Sequence, residues 1–207
     1  MLEILRRGPV LPVVVIEDAA QGVPLARALL AGGVRVLEIT LRTPASLGAI
    51  RAVAREVPDV TVGAGTILNS TDLKMAQKAG AQFGASPGAT PELLAAARAS
   101  GLPFLPGAIT PSEIMAALTA GYSIVKFFPA AQAGGRAALK TLGGPFPQLR
   151  FCPTGGISLE TAPEYLAQPN VVCIGGSWLA PQTLLAANDW AGITRLAKQA
   201  AALGTGA

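Results

Sequence analysis

Eight short runs of β-favouring residues recur along the chain, and each is followed by a turn and an Ala/Leu-rich amphipathic stretch. The runs are VLPVVVI (10–16), VRVLEITL (34–41), VTVGAGT (60–66), AQFGAS (81–86), PFLPGA (103–108), IVKFFPA (124–130), LRFCPTG (149–155) and VVCIGGS (171–177). Between them lie helical patterns such as GVPLARALLAG, ASLGAIRAVAREV, PELLAAARAS and PSEIMAALTAG. This alternation implies parallel strands joined by right-handed crossovers, which leaves a closed barrel or a doubly wound sheet. Eight units in 207 residues, with no linker and no separate domain, favour an α/β fold of one kind: a single (β/α)8 TIM barrel over residues 1–207. The segment MLEILRRG ahead of the first run is expected to be a short helix capping the barrel bottom.

Composition fits strands covered on both faces, with 51% hydrophobic residues and only 14% charged. No stretch approaches the ~18 uninterrupted apolar residues that a membrane helix needs. The N-terminal apolar run is short, holds Pro9 and Pro12 and leads straight into Glu17-Asp18, so it does not read as a signal peptide. The expected setting is the cytoplasm, without a membrane partner. The net charge of +4 comes from sixteen thinly spread Lys and Arg residues. That argues against a nucleic-acid partner and suits a small anionic ligand. Cys152 and Cys173 lie inside apolar runs and are read as buried free thiols rather than a disulfide or metal ligands. The chain contains no histidine. Histidine triads, histidine-ligated zinc and imidazole acid–base chemistry are therefore excluded, and no metal or cofactor is expected.

Local signals mark the helices. Thr43-Pro44, Thr90-Pro91 and Thr110-Pro111 each suggest a capping hydroxyl before a first-turn proline, and Thr110 with Glu113 fits a capping box. Gly32, Gly80, Gly101 and Gly121 are placed as left-handed helix ends.

The charges carry the chemistry. Alternate residues of a barrel strand point inward. In VRVLEITLR that puts Glu38, Thr40 and Arg42 inside and Leu37, Ile39 and Leu41 against the helices. In IVKFF it puts Ile124, Lys126 and Phe128 inside. A lone charge in a strand ordinarily snorkels or marks an edge. Two opposite charges at matching inward parity argue against that, while a purely structural ion pair stays open as an alternative. In the functional reading the apolar surroundings of Lys126 disfavour an ammonium, and the neutral amine attacks a carbonyl to form a Schiff base. An ionised Glu38 opposes this unless it shuttles protons as the adduct forms and breaks.

Phosphate is the second theme. PTGGIS (153–158) and IGGSWL (174–179) follow the last two strands, where barrels commonly hold phosphate. Gly155, Gly156, Gly175 and Gly176 permit close backbone approach and Ser177 adds a hydroxyl, although paired glycines also make plain tight turns. Arg42 either clamps a carboxylate or pairs with a surface acid. Thr66 either binds substrate or caps the next helix.

These residues resemble the class I aldolases acting on 2-keto-3-deoxy-6-phosphogluconate (KDPG) and 4-hydroxy-2-oxoglutarate (KHG). The likeness rests on GGVRVLEITLRT, VGAGTILN, ASPG, VKFFPA, GPFPQLRFCPTGGIS and CIGGSWL, in order from about residue 8 onward. It implies reversible cleavage of a phosphorylated 2-keto acid to pyruvate and glyceraldehyde 3-phosphate, without a metal, in a homotrimer. It also implies that Lys126 forms the Schiff base and Glu38 is the acid/base. Arg42 and Thr66 hold the pyruvate-derived carboxylate, and Phe128 and Pro87 line the pocket. Thr154 meets the substrate, and Gly155, Gly156, Gly176 and Ser177 hold the phosphate. PGAIT (106–110) and AAQAGG (130–135) depart from the family pattern, and both flank the expected site.

Overall fold

The Val-, Ile- and Gly-rich runs form eight parallel strands, though shorter ones than their sequence spans. A computed structural model of the chain describes residues 1–204. The strands are β1 (Val10–Val14), β2 (Val36–Thr40), β3 (Thr61–Gly65), β4 (Gly84–Ala85), β5 (Phe104–Leu105), β6 (Ile124–Phe127), β7 (Arg150–Pro153) and β8 (Ile174–Gly176). The helices ahead of β6 are α1 (Leu2–Leu5), α2 (Gly22–Ala31), α3 (Ser46–Glu56), α4 (Ser70–Lys78), α5 (Pro91–Ser100) and α6 (Pro111–Thr119). Those after it are α7 (Gly135–Gly143), α8 (Ala162–Leu166), α9 (Gln182–Ala186) and α10 (Trp190–Ala201). Among the described residues no helix is long and apolar enough to cross a membrane.

The expected closed eight-stranded TIM barrel does not form. Six strands make one sheet in the order β5-β4-β3-β2-β1-β8, and β6 and β7 make a separate pair. Along their backbones the two sheets join through isolated bridges, Gly107 to Lys126 on one side and Phe151 to Val171 and Thr154 to Gly175 on the other. The fold is therefore (β/α)-barrel-like, related to the closed barrel but distinct from it. A physical cause is visible at one of the two seams. At the β5–β6 seam, β5 is two residues long and is flanked by Pro103 and Pro106, which have no N–H to extend a ladder.

Burial separates into two layers. Leu37, Ile39, Val62, Val125, Phe127 and Phe151 pack outward against the helices in the larger apolar cluster. Leu11, Val36, Phe83, Ala85, Leu105, Ile124, Cys152 and Cys173 form a smaller inner cluster. Leu5 of α1 joins that inner cluster, with Met1, Leu2 and Ile4 packed against it. Gly63 makes space inside, because a Cβ there would lie 2.4 Å from the Phe83 ring.

Two capping hydroxyls act as read from the sequence. Thr90 caps α5 by accepting from Leu93 N, and Thr110 with Glu113 closes a reciprocal capping box on α6. Thr43 does not cap. α3 starts at Ser46, and the Thr43 hydroxyl donates instead to the Ile16 carbonyl across the β1–β2 ends. Gly32 is not left-handed either, with φ at −87°. Gly33 takes that conformation at φ +90°, while Gly32 is small because a Cβ would lie 2.3 Å from the Ala197 side chain of α10.

Candidate active site

β2 and β6 face each other across the interior, and each delivers one charged side chain into it. Lys126 Nζ donates to both oxygens of the Glu38 carboxylate, at 2.8 and 3.1 Å. Glu38 is 0% exposed and Lys126 5%. Both backbones are held in place. Glu38 lies in register between Val13 of β1 and Gly63 of β3, while Lys126 N donates to Pro106 O and Ala108 N donates to Lys126 O. Gly65 supplies the room for the carboxylate, since a Cβ there would sit 2.0 Å from Glu38 Oε1. Burial of such a pair contributes little net stability after desolvation, whereas removing one partner strands a charge.

Toward the strand starts the pair rests on apolar and thiol groups. Cys152 is the β7 partner of Lys126, and the Cys173 thiol donates to Cys152 Sγ at 3.6 Å. Both cysteines are free and buried. The hydrogen bond to Cys152 holds the Cys173 thiol well above its ordinary value of 9.0, and burial and the negative charge of Glu38 act the same way. Cys173 is thus kept as a neutral thiol.

Toward the strand ends the site opens. Lys126 Nζ stands 5.9 Å from the Phe128 ring centroid, within cation–π range. The far edge of that ring packs on Gly155, whose Cβ position is 3.2 Å from Phe128 Cδ2. Phe128 therefore links the amine to the first glycine turn. Gly155 and Gly156 are both left-handed, with φ +98° and +72°. Among the described residues, the backbone N–H groups of Gly155, Gly156 and Ser177 have no acceptor, so they remain available to an oxyanion. Thr154 occupies the space that Gly175 leaves open, with Oγ1 2.2 Å from a Cβ built there. Gly175 thus serves the interior of the site, while Gly176 packs against the Trp178 ring.

On the opposite rim Arg42 and Thr66 come together. Arg42 Nε donates to Thr66 Oγ1 at 3.3 Å, and Leu41 N donates to Gly65 O at 2.8 Å to pin the two strand ends. Thr66 does not cap α4. Asn69 does that, accepting from Thr71 N and Asp72 N. Thr66 instead adopts φ +59°, an outlying conformation for a β-branched residue and a form of strain that clusters at functional sites. Pro87 turns its carbonyl against Gly107, where a Cβ would be 2.2 Å away. Ser177 is exposed at the mouth of the β8 turn and its hydroxyl makes no side-chain hydrogen bond among the described residues. The space-making roles of Gly65 and Gly175 were not apparent from the sequence, because their neighbours come from other strands.

An amine and a carboxylate sealed in contact inside a parallel barrel-like frame, with open amides at the strand ends, define an amine-centred site of the carbonyl-condensing class. The chain belongs to the KDPG and KHG aldolase family, whose model, Aldolase: KDPG and KHG aldolase, matches residues 1–196. It is 53% identical over 197 residues to the KHG/KDPG aldolase of Escherichia coli K12, covering 95% of this chain and 92% of that one. Among solved structures it resembles the KDPG aldolase of Legionella pneumophila, which holds pyruvate as a covalent carbinolamine intermediate, at 44% identity and a TM-score of 0.95. That match covers 97% of this chain and 98% of the other. The Zymomonas mobilis ZM4 aldolase, solved with 3-phosphoglycerate, matches at 48% identity and a TM-score of 0.92, over 98% and 95% of the two chains.

Proposed function

We propose that this chain is a class I aldolase that cleaves KDPG reversibly to pyruvate and glyceraldehyde 3-phosphate, with KHG as a second substrate. The observation that carries the proposal is the buried contact of 2.8 Å between Lys126 Nζ and Glu38. The carbinolamine in the Legionella relative supports it.

The residues then take the following roles. Arg42 and Thr66 bind the substrate carboxylate and bring its C2 carbonyl to Lys126. The Lys126 amine, having passed a proton to Glu38, adds to C2 and gives a carbinolamine. Glu38 returns the proton to the departing hydroxyl, water leaves, and an iminium remains. Glu38, again a carboxylate, takes the C4 hydroxyl proton. The C3–C4 bond breaks, the aldehyde leaves, and the electron pair moves into the enamine. Protonation at C3 and hydrolysis release pyruvate and restore the amine. Phe128 and Pro87 line this pocket, and Thr154 meets the substrate between the amine and the glycine turns. Gly155, Gly156 and Ser177 hold the phosphate through backbone amides and the Ser177 hydroxyl, and Gly176, without a side chain, lets the phosphate approach the β8 end.

The test is coupled detection of pyruvate from KDPG, its galactonate epimer and KHG. Release from KDPG supports the reading, and a phosphosugar isomerase on the same frame would release none. We extend the proposal to residues 1–207 acting as one domain, because one apolar cluster spans Val10 to Ala200. The family resemblance further supports a homotrimer, a cytoplasmic setting and the Entner–Doudoroff cleavage step.

A further inference from the structure

The loop that follows the lysine strand is tied to the first glycine turn. Ala130 N donates to Thr154 O at 2.8 Å and Ala131 N donates to Gly155 O at 3.1 Å. Those two bonds place the next side chain, Gln132, over Gly156. Its Nε2 and Oε1 both lie 3.6 Å from the Cβ position of Gly156, and Ala131 Cβ blocks the same position at 2.5 Å. Gln132 is exposed, and its amide has no partner among the described residues. The Gly155 and Gly156 N–H groups beside it have no acceptor either.

The geometry points to Gln132 as a specificity residue: its side-chain amide N–H donates to the phosphate held at the Gly155–Gly156 turn and so favours phosphorylated over unphosphorylated substrates. The inference rests on the aldolase reading. An amide suits the position for a chemical reason. It supplies two donors to an anion already met by backbone N–H groups, and it adds no charge that would hold product tightly. A loop carrying a carboxylate here would repel the same phosphate. The turn cannot supply this contact itself, because Gly156 has no side chain and no room for one. A hydrogen bond from a neutral donor to a charged acceptor at an exposed rim corresponds to about five- to tenfold in kcat/KM.

The test uses the condensation direction, where the same bond forms with or without a phosphate on the aldehyde. Pyruvate is condensed with glyceraldehyde 3-phosphate and, separately, with glyceraldehyde, and the ratio of the two kcat/KM values is the readout. For Gln132→Ala this ratio is expected to fall about five- to tenfold, and for Gln132→Glu further still. A merely structural role would move both aldehydes together and leave the ratio unchanged, which overturns the inference. Should the wild-type protein condense neither aldehyde, the underlying aldolase reading fails and takes this inference with it. An active wild type with an unmoved ratio defeats the inference alone.

Discussion

Gly65→Ala tests whether the distance between Glu38 and Lys126 matters, because it alters neither residue. The new Cβ would lie 2.0 Å from Glu38 Oε1 and 2.7 Å from the carboxyl carbon. Ordinary contact begins near 3.4 Å, so the carboxylate must withdraw by about 1.4 Å. Glu38 is 0% exposed and has no solvent-facing rotamer space to enter, so the shift stretches the 2.8 Å contact with Lys126. Misplacing a catalytic group by about 1 Å costs on the order of 10²-fold in rate. Overpacking of this kind also costs about 1–3 kcal/mol of stability. We expect kcat for pyruvate release to fall on the order of 10²-fold, with a folded circular dichroism spectrum and a lower denaturant midpoint. Activity within about twofold of wild type would refute the reasoning, since it would mean that the carboxylate moves freely without consequence.

Other perturbations follow from the same geometry. Glu38→Gln should lower kcat on the order of 10²–10⁴-fold with a modest change in KM, as measured by steady-state kinetics. Lys126→Met should destabilise the fold by about 3–5 kcal/mol in urea titration, because a buried carboxylate loses its partner, and adding Glu38→Leu should recover most of that loss. Thr66→Gly relieves the left-handed strain and should raise stability by about 1 kcal/mol while increasing KM for the keto acid. Burial acts to raise the Glu113 carboxyl, but the N–H groups of Ile109 and Thr110 and the Thr110 hydroxyl outweigh it, leaving the group below its ordinary 4.5. A depressed carboxyl stabilises the fold above 4.5, and that contribution is lost as pH falls through the lowered value. Glu113→Gln should therefore flatten the acid limb of a stability–pH profile.

Period-two alternation in VRVLEITLR and IVKFF was enough to aim Glu38 and Lys126 into one interior, since burying the apolar face leaves only that direction for the charges. Alternation left open what Arg42 and Thr66 touch, and their 3.3 Å contact at one rim appears only in the structure. What alternation cannot show is how far a ladder runs. Prolines flanking the two-residue β5 cut the ladder short at the β5–β6 seam, one of the two that divide the strands into two sheets. A glycine's purpose was equally hidden, because Gly65 and Gly175 are small on account of Glu38 and Thr154, which reach them from other strands. Thr66 at φ +59° contradicts local propensity altogether, and the Leu41–Gly65, Arg42–Thr66 and Ile67–Ala85 contacts show how the turn is held. Gln132 carries no sequence signal until the loop after β6 is seen hydrogen-bonded to the turn after β7.

Borohydride reduction in the presence of pyruvate, followed by peptide mapping, asks whether Lys126 is the amine that condenses with the keto acid. One reduced pyruvyl adduct per chain is expected, located on Lys126, and none in Lys126→Met. An adduct on Lys74, Lys78, Lys140 or Lys198 instead, or no adduct in a protein that still releases pyruvate, would contradict that expectation.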